Sequence, residues 1–363
     1  MFGLLKNKNQ DWAANIKPSG QMVEVKAGDN LLNAALMAGL AWPHDCRVGS
    51  CGTCRCTLKE GRIKPLADFS YVLDGDQLDS GMILACQTAA RSDLVIDVAL
   101  EDGPVAAEGA SIDTVEGVIN RIRQLTGDII EVTVSTKQAF SNGFVAGQYA
   151  EISTSTIKQS RSYSFATAPQ RTGNDSLSFF IRLVPGGEFT EWLFGGDRLN
   201  TAVTVRGPFG SFWLRSAEGP MICIAGGSGL APLKSLLESA CDNETARDVL
   251  FLFGARTQDD LYCLSELDKI KKDWSGLSFE FIPVLSEEPD NSNWSGARGL
   301  VTDYLKENFI DPGKLDTSRC QGYLCGPPPM VDAAVDVLSA AGIAKDEIFF
   351  DKFLDASSMP NGR

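Results

Sequence analysis

The chain has 363 residues, enough for two or three domains at roughly 100–200 residues each. Hydrophobic residues make up 44% and charged residues 22%, an ordinary globular balance, and no apolar run reaches the roughly 18–20 residues of a membrane span. The formal net charge of −14 argues against nucleic acid and anionic membrane as partners.

In chain order, Met1 to Asn15 holds only a short apolar patch before Lys6 and Lys8. That is no secretory signal, so a cytoplasmic location is expected. Met22, Val23 and Val25 predict a short strand. Ala27-Gly28-Asp29 predicts a turn, with Asp29 as helix N-cap. Leu31, Leu32, Ala35 and Leu36 recur at helical spacing, and Gly39 ends the run. A cysteine-rich loop follows, then a strand from Leu94 to Leu100. Residues 16–101 form the first predicted domain, and 102–112 a linker of Asp-Gly-Pro and small residues.

There are ten cysteines and one histidine, His44. A lone histidine excludes two-histidine metal sites and Rieske centres. Many cysteines without a signal peptide point to reduced thiols or metal ligands. Cys46, Cys51 and Cys54 follow C-x4-C-x2-C, and Cys86 follows Cys54 after 31 intervening residues. This is the plant-type 2Fe–2S pattern. Structural zinc usually shows two close cysteine pairs, and Cys86 has no near partner. Cys56 reads as a small core residue and His44 as structural.

Residues 113–216 alternate apolar and polar residues over Val115–Arg123, Ile129–Thr136, Tyr149–Ser153, Ser176–Val184 and Ala202–Val205. Turn residues separate these strands, which predicts an antiparallel barrel or sandwich. Arg161-Ser162-Tyr163-Ser164 opens one strand and runs on into Phe165. It offers an arginine for phosphate, an aromatic ring for stacking and a hydroxyl for a ring nitrogen. Arg182-Leu183-Val184-Pro185-Gly186-Gly187 leads to Thr190, and the Gly-Gly pair precedes a short helix whose N–H groups suit a pyrophosphate.

Residues 217–355 change character. Strands at Met221–Ala225, Val249–Phe253, Phe279–Val284 and Gln321–Cys325 alternate with helices at Pro232–Cys241, Leu264–Lys271, Leu300–Glu307 and Met330–Ala341. That alternation predicts a doubly wound parallel sheet. Gly226-Gly227-Ser228-Gly229 is a strand–turn–helix junction that lets a dinucleotide's phosphates approach. It is not the G-x-G-x-x-G fingerprint, and the second strand ends in Arg256 rather than a ribose-binding acid. Cys325-Gly326-Pro327-Pro328-Pro329-Met330 places a thiol at a strand's C-terminal end, facing the expected crevice. Phe349 to Phe353 reads as an edge strand. Residues 217–363 hold 13 Lys/Arg and 24 Asp/Glu, so the acidity of the chain lies almost wholly here.

Together these motifs resemble the ferredoxin–NADP reductase superfamily, and more narrowly the iron–sulfur flavoprotein reductases of bacterial multicomponent oxygenases. The resemblance spans residues 20–355 in the family's order. It implies an α+β and α/β multidomain chain: a β-grasp ferredoxin, an antiparallel Greek-key flavin-binding barrel and a nucleotide-binding domain. Cys46, Cys51, Cys54 and Cys86 would hold the cluster. Arg161 would meet the FAD phosphates, Tyr163 would stack on the isoalloxazine and Ser164 would bond near N5, with Phe165 alongside. Arg182, Val184, Gly186, Gly187 and Thr190 would hold the rest of FAD. Gly227, Ser228 and Gly229 would underlie the nicotinamide nucleotide, with Arg256, Gly326, Pro327 and Met330 also touching it. Cys325 would sit near the nicotinamide C4, and Phe353 would cover the flavin. Ser228 stands where the family often has threonine, which keeps the hydroxyl, and the first fifteen residues have no counterpart.

The implied activity takes hydride from NADH to FAD and passes single electrons through the cluster to an oxygenase component or an intermediary ferredoxin. No general base is required, which fits a chain with one histidine. NADH is expected over NADPH, because one arginine followed by Asp259 and Asp260 is a poor 2′-phosphate site. The family leans to monomers. Two alternatives stay open: the same electron transfer to a non-oxygenase partner such as a deoxysugar dehydratase, and a cluster-bearing binding module with a vestigial flavin site.

Overall fold

A computed structural model describes residues 10–27, 29–44, 49, 52–100, 112–157, 160–172, 175–275 and 278–353. Its contacts divide the chain into two units, residues 1–112 and 113–363.

The first unit is built on β1 (Trp12–Lys17), β2 (Gln21–Val25), α1 (Leu31–Met37), β3 (Arg55–Glu60), β4 (Ile63–Pro65), α2 (Gly75–Asp79), β5 (Met82–Leu84), β6 (Thr88–Ala90) and β7 (Leu94–Asp97). Five strands form a mixed sheet, ordered β2-β1-β7-β3-β5, in which β1 and β7 run parallel. Helix α1 buries Leu31, Leu32, Ala34, Ala35 and Leu36, the stripe its spacing predicts. Its cap is Asn30, not Asp29. Asn30 has the extended backbone of an N-cap, and its side chain accepts the Asn33 N–H at 2.7 Å. Strand β1 was not expected, and the expected domain start at residue 16 falls inside it. Only Ala14 and Ile16 point inward, so its local pattern is weak. Its partners are non-local: β2 on one side and β7 on the other.

The second unit opens with a barrel: β8 (Asp113–Gln124), β9 (Ile129–Thr136), β10 (Tyr149–Thr154), β11 (Arg161–Ser164), α3 (Pro169–Thr172), β12 (Ser176–Arg182), α4 (Glu188–Phe194) and β13 (Ala202–Phe209). The antiparallel order is β11-β10-β13-β8-β9-β12, and a bridge between Phe165 and Phe179 nearly closes it. Inward residues such as Val134, Ile152, Phe179 and Val205 fill the interior, as the alternation predicts.

The rest of the unit is a parallel sheet ordered β17-β16-β15-β14-β18-β19. Its elements are β14 (Met221–Gly226), α5 (Leu230–Asp242), β15 (Val249–Ala255), α6 (Leu264–Asp273), β16 (Phe279–Leu285), β17 (Ala297–Arg298), α7 (Val301–Leu305), β18 (Gln321–Gly326), α8 (Pro328–Ala340) and β19 (Ile348–Lys352). Every residue of β14 and β18 is buried, as a sheet covered on both faces requires. Strand β19 lies at the edge. The expected Leu300–Glu307 helix is shorter: after α7 the chain widens into a π turn at Lys306–Ile310. Barrel and sheet share one core, in which Ile129, Ala166, Phe180 and Phe212 pack with Cys223, Leu236, Phe251 and Cys325. No helix among the described residues is long and apolar enough to cross a membrane.

Candidate active site

In the first unit, Cys46 and Cys51 lie outside the described residues. Cys54 immediately precedes β3, and Cys86 sits in the 3₁₀ turn that follows β5. Strands β3 and β5 pair antiparallel, Arg55 opposite Leu84, so these two ends meet. The sulfurs are both buried and 3.2 Å apart, well beyond the disulfide length of about 2.05 Å. A buried pair of thiols with no disulfide between them fits thiolate ligation of a cluster. Cys56 is buried in β3 and desolvation raises its pKa, so it reads as core. His44 is buried, its Nδ1 2.7 Å from the Trp42 carbonyl. Replacing Cys86 by serine is expected to remove the cluster's visible absorption while NADH still bleaches the flavin. Retention of the cluster bands in Cys86→Ser would show that the fourth ligand lies elsewhere.

In the second unit, Arg161, Tyr163 and Ser164 occupy β11, paired with Ile152, Ala150 and Tyr149 of β10. The pleat alternates, with Ser162 exposed between its half-buried neighbours. Ser164 is buried. The Tyr163 ring lies 5.7 Å from that of Phe189, and desolvation raises the pKa of its hydroxyl. Phe165 follows Ser164. Its ring is fully buried in the barrel interior, stacked 4.0 Å from Phe144, so it offers no face to a cofactor. Alternation explains this, because Phe165 continues β11 toward its bridge with Phe179.

The Gly186-Gly187 turn lies further along the chain. The Thr190 hydroxyl bonds Val184 N–H and the Val184 and Gly187 carbonyls at 3.1–3.2 Å, so it pins the turn. The Gly186 N–H donates to the Glu191 carboxylate at 2.6 Å. The helix start expected to hold a pyrophosphate thus already carries Glu188 and Glu191. Val184 is half-buried at the base of this turn.

At the C-terminal ends of the parallel strands lies a cleft of about 260 Å³. Asp128, Ile129 and Arg182 of the barrel form one wall. Gly226, Gly227, Arg256, Pro327 and Met330 form much of the other. Gly227 has φ +54°, and nothing lies within 4 Å of where a Cβ would stand, so its backbone opens onto space a ligand can approach. Gly229 lies behind it: a Cβ there would come within 2.2 Å of the Cys325 carbonyl oxygen. Ser228 is half-buried in the same turn, and Gly326 carries the chain from Cys325 into the cleft wall.

Tyr262, which motif reading missed, donates its hydroxyl to the Gly227 carbonyl at 2.8 Å. Its ring is wedged edge-on against Phe180 and Phe253, at 5.4 and 5.7 Å, so it fixes the glycine turn. Cys325 is completely buried, and desolvation, then Asp351, push its pKa well up. It is a neutral thiol that does not open into the cleft as its strand position led us to expect. Phe353 packs against the apolar cluster around it, anchored by its N–H to the Gly326 carbonyl at 2.9 Å. Arg182, expected on FAD, lines this cleft and pairs with Asp128 at 2.9 Å.

Beneath the cleft, Lys234 and Glu238 of α5 form a buried ion pair at 2.7 Å. Lys234 Nζ donates to the Ala166 carbonyl at 3.1 Å, and Glu238 accepts the Ala168 N–H at 2.9 Å. Arg171 adds a bidentate pair with Asp242 at 2.6 and 2.8 Å. The segment that follows Ser164 is therefore fastened to the helix that follows Gly229.

Converging thiols on a β-grasp-like sheet, and a barrel and parallel sheet sharing one cleft, define a flavin- and nicotinamide-dependent electron-transfer reductase. Three family models match in the same order: a 2Fe-2S iron-sulfur cluster binding domain over residues 14–91, an oxidoreductase FAD-binding domain over 116–213, and an oxidoreductase NAD-binding domain over 223–336. The electron transfer component of xylene/toluene monooxygenase from Pseudomonas putida is 44% identical, over 93% of each chain. The reductase component of propane 2-monooxygenase from Rhodococcus jostii is 34% identical, over 93% of this chain and 90% of that one. The solved structure of the Amycolatopsis cytochrome P450 reductase matches at TM-score 0.81 and 30% identity, covering 94% of this chain and 98% of that one. The chain belongs to the iron–sulfur flavoprotein reductases of multicomponent oxygenases, oxidoreductases that use NAD(H), FAD and a 2Fe–2S cluster.

Proposed function

We propose that this chain carries electrons from NADH to the oxygenase component of a hydrocarbon-oxidising system, acting as a monomer, with the organic substrate bound by its partner. The observation that carries the reading is the cleft walled by both barrel and nucleotide sheet. The xylene/toluene relative supports the choice of partner.

The residues of the barrel would hold FAD, which when bound would supply the conversion between a hydride's electron pair and the single electrons that a one-electron cluster requires. The chain's own groups hold, orient and shield. Tyr163 offers the stacking face, Arg161 neutralises phosphate, and buried Ser164 supplies a hydrogen bond without admitting bulk water. Cys325 stays protonated, so it adds no charge where the nicotinamide docks, and Phe353 closes the apolar side. Cys46, Cys51, Cys54 and Cys86 hold the cluster.

NADH is the donor in this reading because both arginines of the cleft, Arg182 and Arg256, are paired with carboxylates. Steady-state dichlorophenolindophenol reduction tests it. The expected kcat/KM is about tenfold or more higher with NADH, equivalent to roughly 1.4 kcal/mol of transition-state binding. A higher value with NADPH overturns the donor assignment. Flavin bands in the purified protein are expected, and their absence would favour the vestigial binding module.

A further inference from the structure

Arg256 is the first residue beyond β15, the strand next to β14 in the sheet. Strand ends of this kind are where doubly wound sheets recognise a nucleotide's ribose. An unpaired guanidinium there would attract the 2′-phosphate of NADPH. Arg256 is instead gripped by Asp260, with Nε and Nη2 donating at 3.1 and 2.8 Å. Asp260 is fixed in turn by the Thr257 N–H at 3.2 Å.

A second carboxylate comes from the other half of the unit. Asp128, just before β9 of the barrel, lies 3.6 Å from Arg256 Nη2 and 2.9 Å from Arg182 Nε. The Thr126 hydroxyl holds it by donating to the other carboxylate oxygen at 3.0 Å. Asp128, Arg182, Arg256 and Asp260 all line the one cleft. Two cations facing two anions leave it no net attraction for a phosphate monoester, which carries about −1.5 to −2 charges near neutral pH. A bare 2′-hydroxyl meets no such obstacle, since either partner of such a pair hydrogen-bonds to it.

We propose that Asp128 is a specificity-determining residue: a carboxylate lent by the flavin barrel that, with Asp260, occupies Arg256 and bars a 2′-phosphorylated dinucleotide. This rests on the NADH reading above. It goes further in placing part of the discrimination outside the nucleotide-binding half, so the specificity site is complete only where barrel and sheet meet.

The test titrates FAD-loaded full-length protein with 2′,5′-ADP and with 5′-AMP by calorimetry, in wild type, Asp128→Asn and Asp260→Asn. Each variant frees one positive charge within several ångströms of the 2′ position. With two phosphate charges at that range, the affinity ratio is expected to move toward 2′,5′-ADP by about tenfold. Adding Arg256→Gln to Asp128→Asn is expected to cancel the gain, which separates an action through Arg256 from a general change in charge. An unmoved ratio in Asp128→Asn overturns the proposal, whether or not Asp260→Asn moves it. So does an equal gain for both ligands. If wild type already binds 2′,5′-ADP more tightly than 5′-AMP, the NADH reading itself fails. If wild type favours 5′-AMP and Asp128→Asn leaves the ratio alone, NADH stands and the barrel's part in it falls.

Discussion

Replacing Gly229 by alanine is expected to lower NADH-driven dichlorophenolindophenol reduction by roughly two orders of magnitude, the scale set by about 1 Å of misplacement in a reacting pair. The added carbon would stand 2.2 Å from the Cys325 carbonyl oxygen and 2.7 Å from the Gly326 nitrogen. Both are backbone atoms of β18 and its exit turn, so neither can rotate away. The turn must shift, and with it Gly227, whose carbonyl Tyr262 holds in place. Gly75→Ala, where nothing lies within 4 Å of the new carbon, is the control and should keep the wild-type rate. A wild-type rate in Gly229→Ala would mean that β14 and β18 part without consequence for nicotinamide docking.

Lys234→Met is expected to destabilise the second unit by about 3–5 kcal/mol, because it leaves the Glu238 carboxylate buried without its main partner. For a unit of this size that corresponds to a fall in Tm of about 10 °C. Arg171, 3.6 Å from Glu238, offsets only part of the loss. Changing both residues to methionine should recover much of it. Recovery will be incomplete, since the double change leaves both the Ala166 carbonyl and the Ala168 N–H without their partners, whereas Lys234→Met alone strands only the carbonyl. Differential scanning calorimetry reads both variants. An unchanged Tm for Lys234→Met would show that water reaches the pair.

Much of this was legible in the residues, and the limits have physical causes. Alternation located the barrel strands, and the switch to strand–helix alternation marked the parallel sheet. Cysteine spacing singled out Cys54 and Cys86, whose sulfurs the structure brings together. What escaped was cooperation between distant residues. Lys234 and Glu238 carry no motif, and their i,i+4 spacing gives no sign of burial. They are buried because α5 lies between sheet and barrel, which the pattern of α5 alone does not reveal. Arg182 sits in a motif that suggested phosphate, yet its partner Asp128 belongs to a different turn. Thr190 was read for a ligand but bonds the chain's own backbone, as the neighbouring Glu191 does, because a tight turn must first pair its own polar groups. Tyr262 carries no motif, and only the fold brings its hydroxyl to a glycine carbonyl.

The burial of Cys325 bears on how such a protein survives its own chemistry. Reduced flavin in air yields hydrogen peroxide, and peroxide attacks thiolates rather than thiols. A cysteine at the reaction centre would ordinarily be the first casualty. Here the sulfur is shut away from solvent and its ionisation is suppressed. The fold therefore keeps a soft, polarisable atom behind the glycine turn, at the end of β18, without exposing it to sulfenylation. Durability under turnover is thus built into the packing around one side chain.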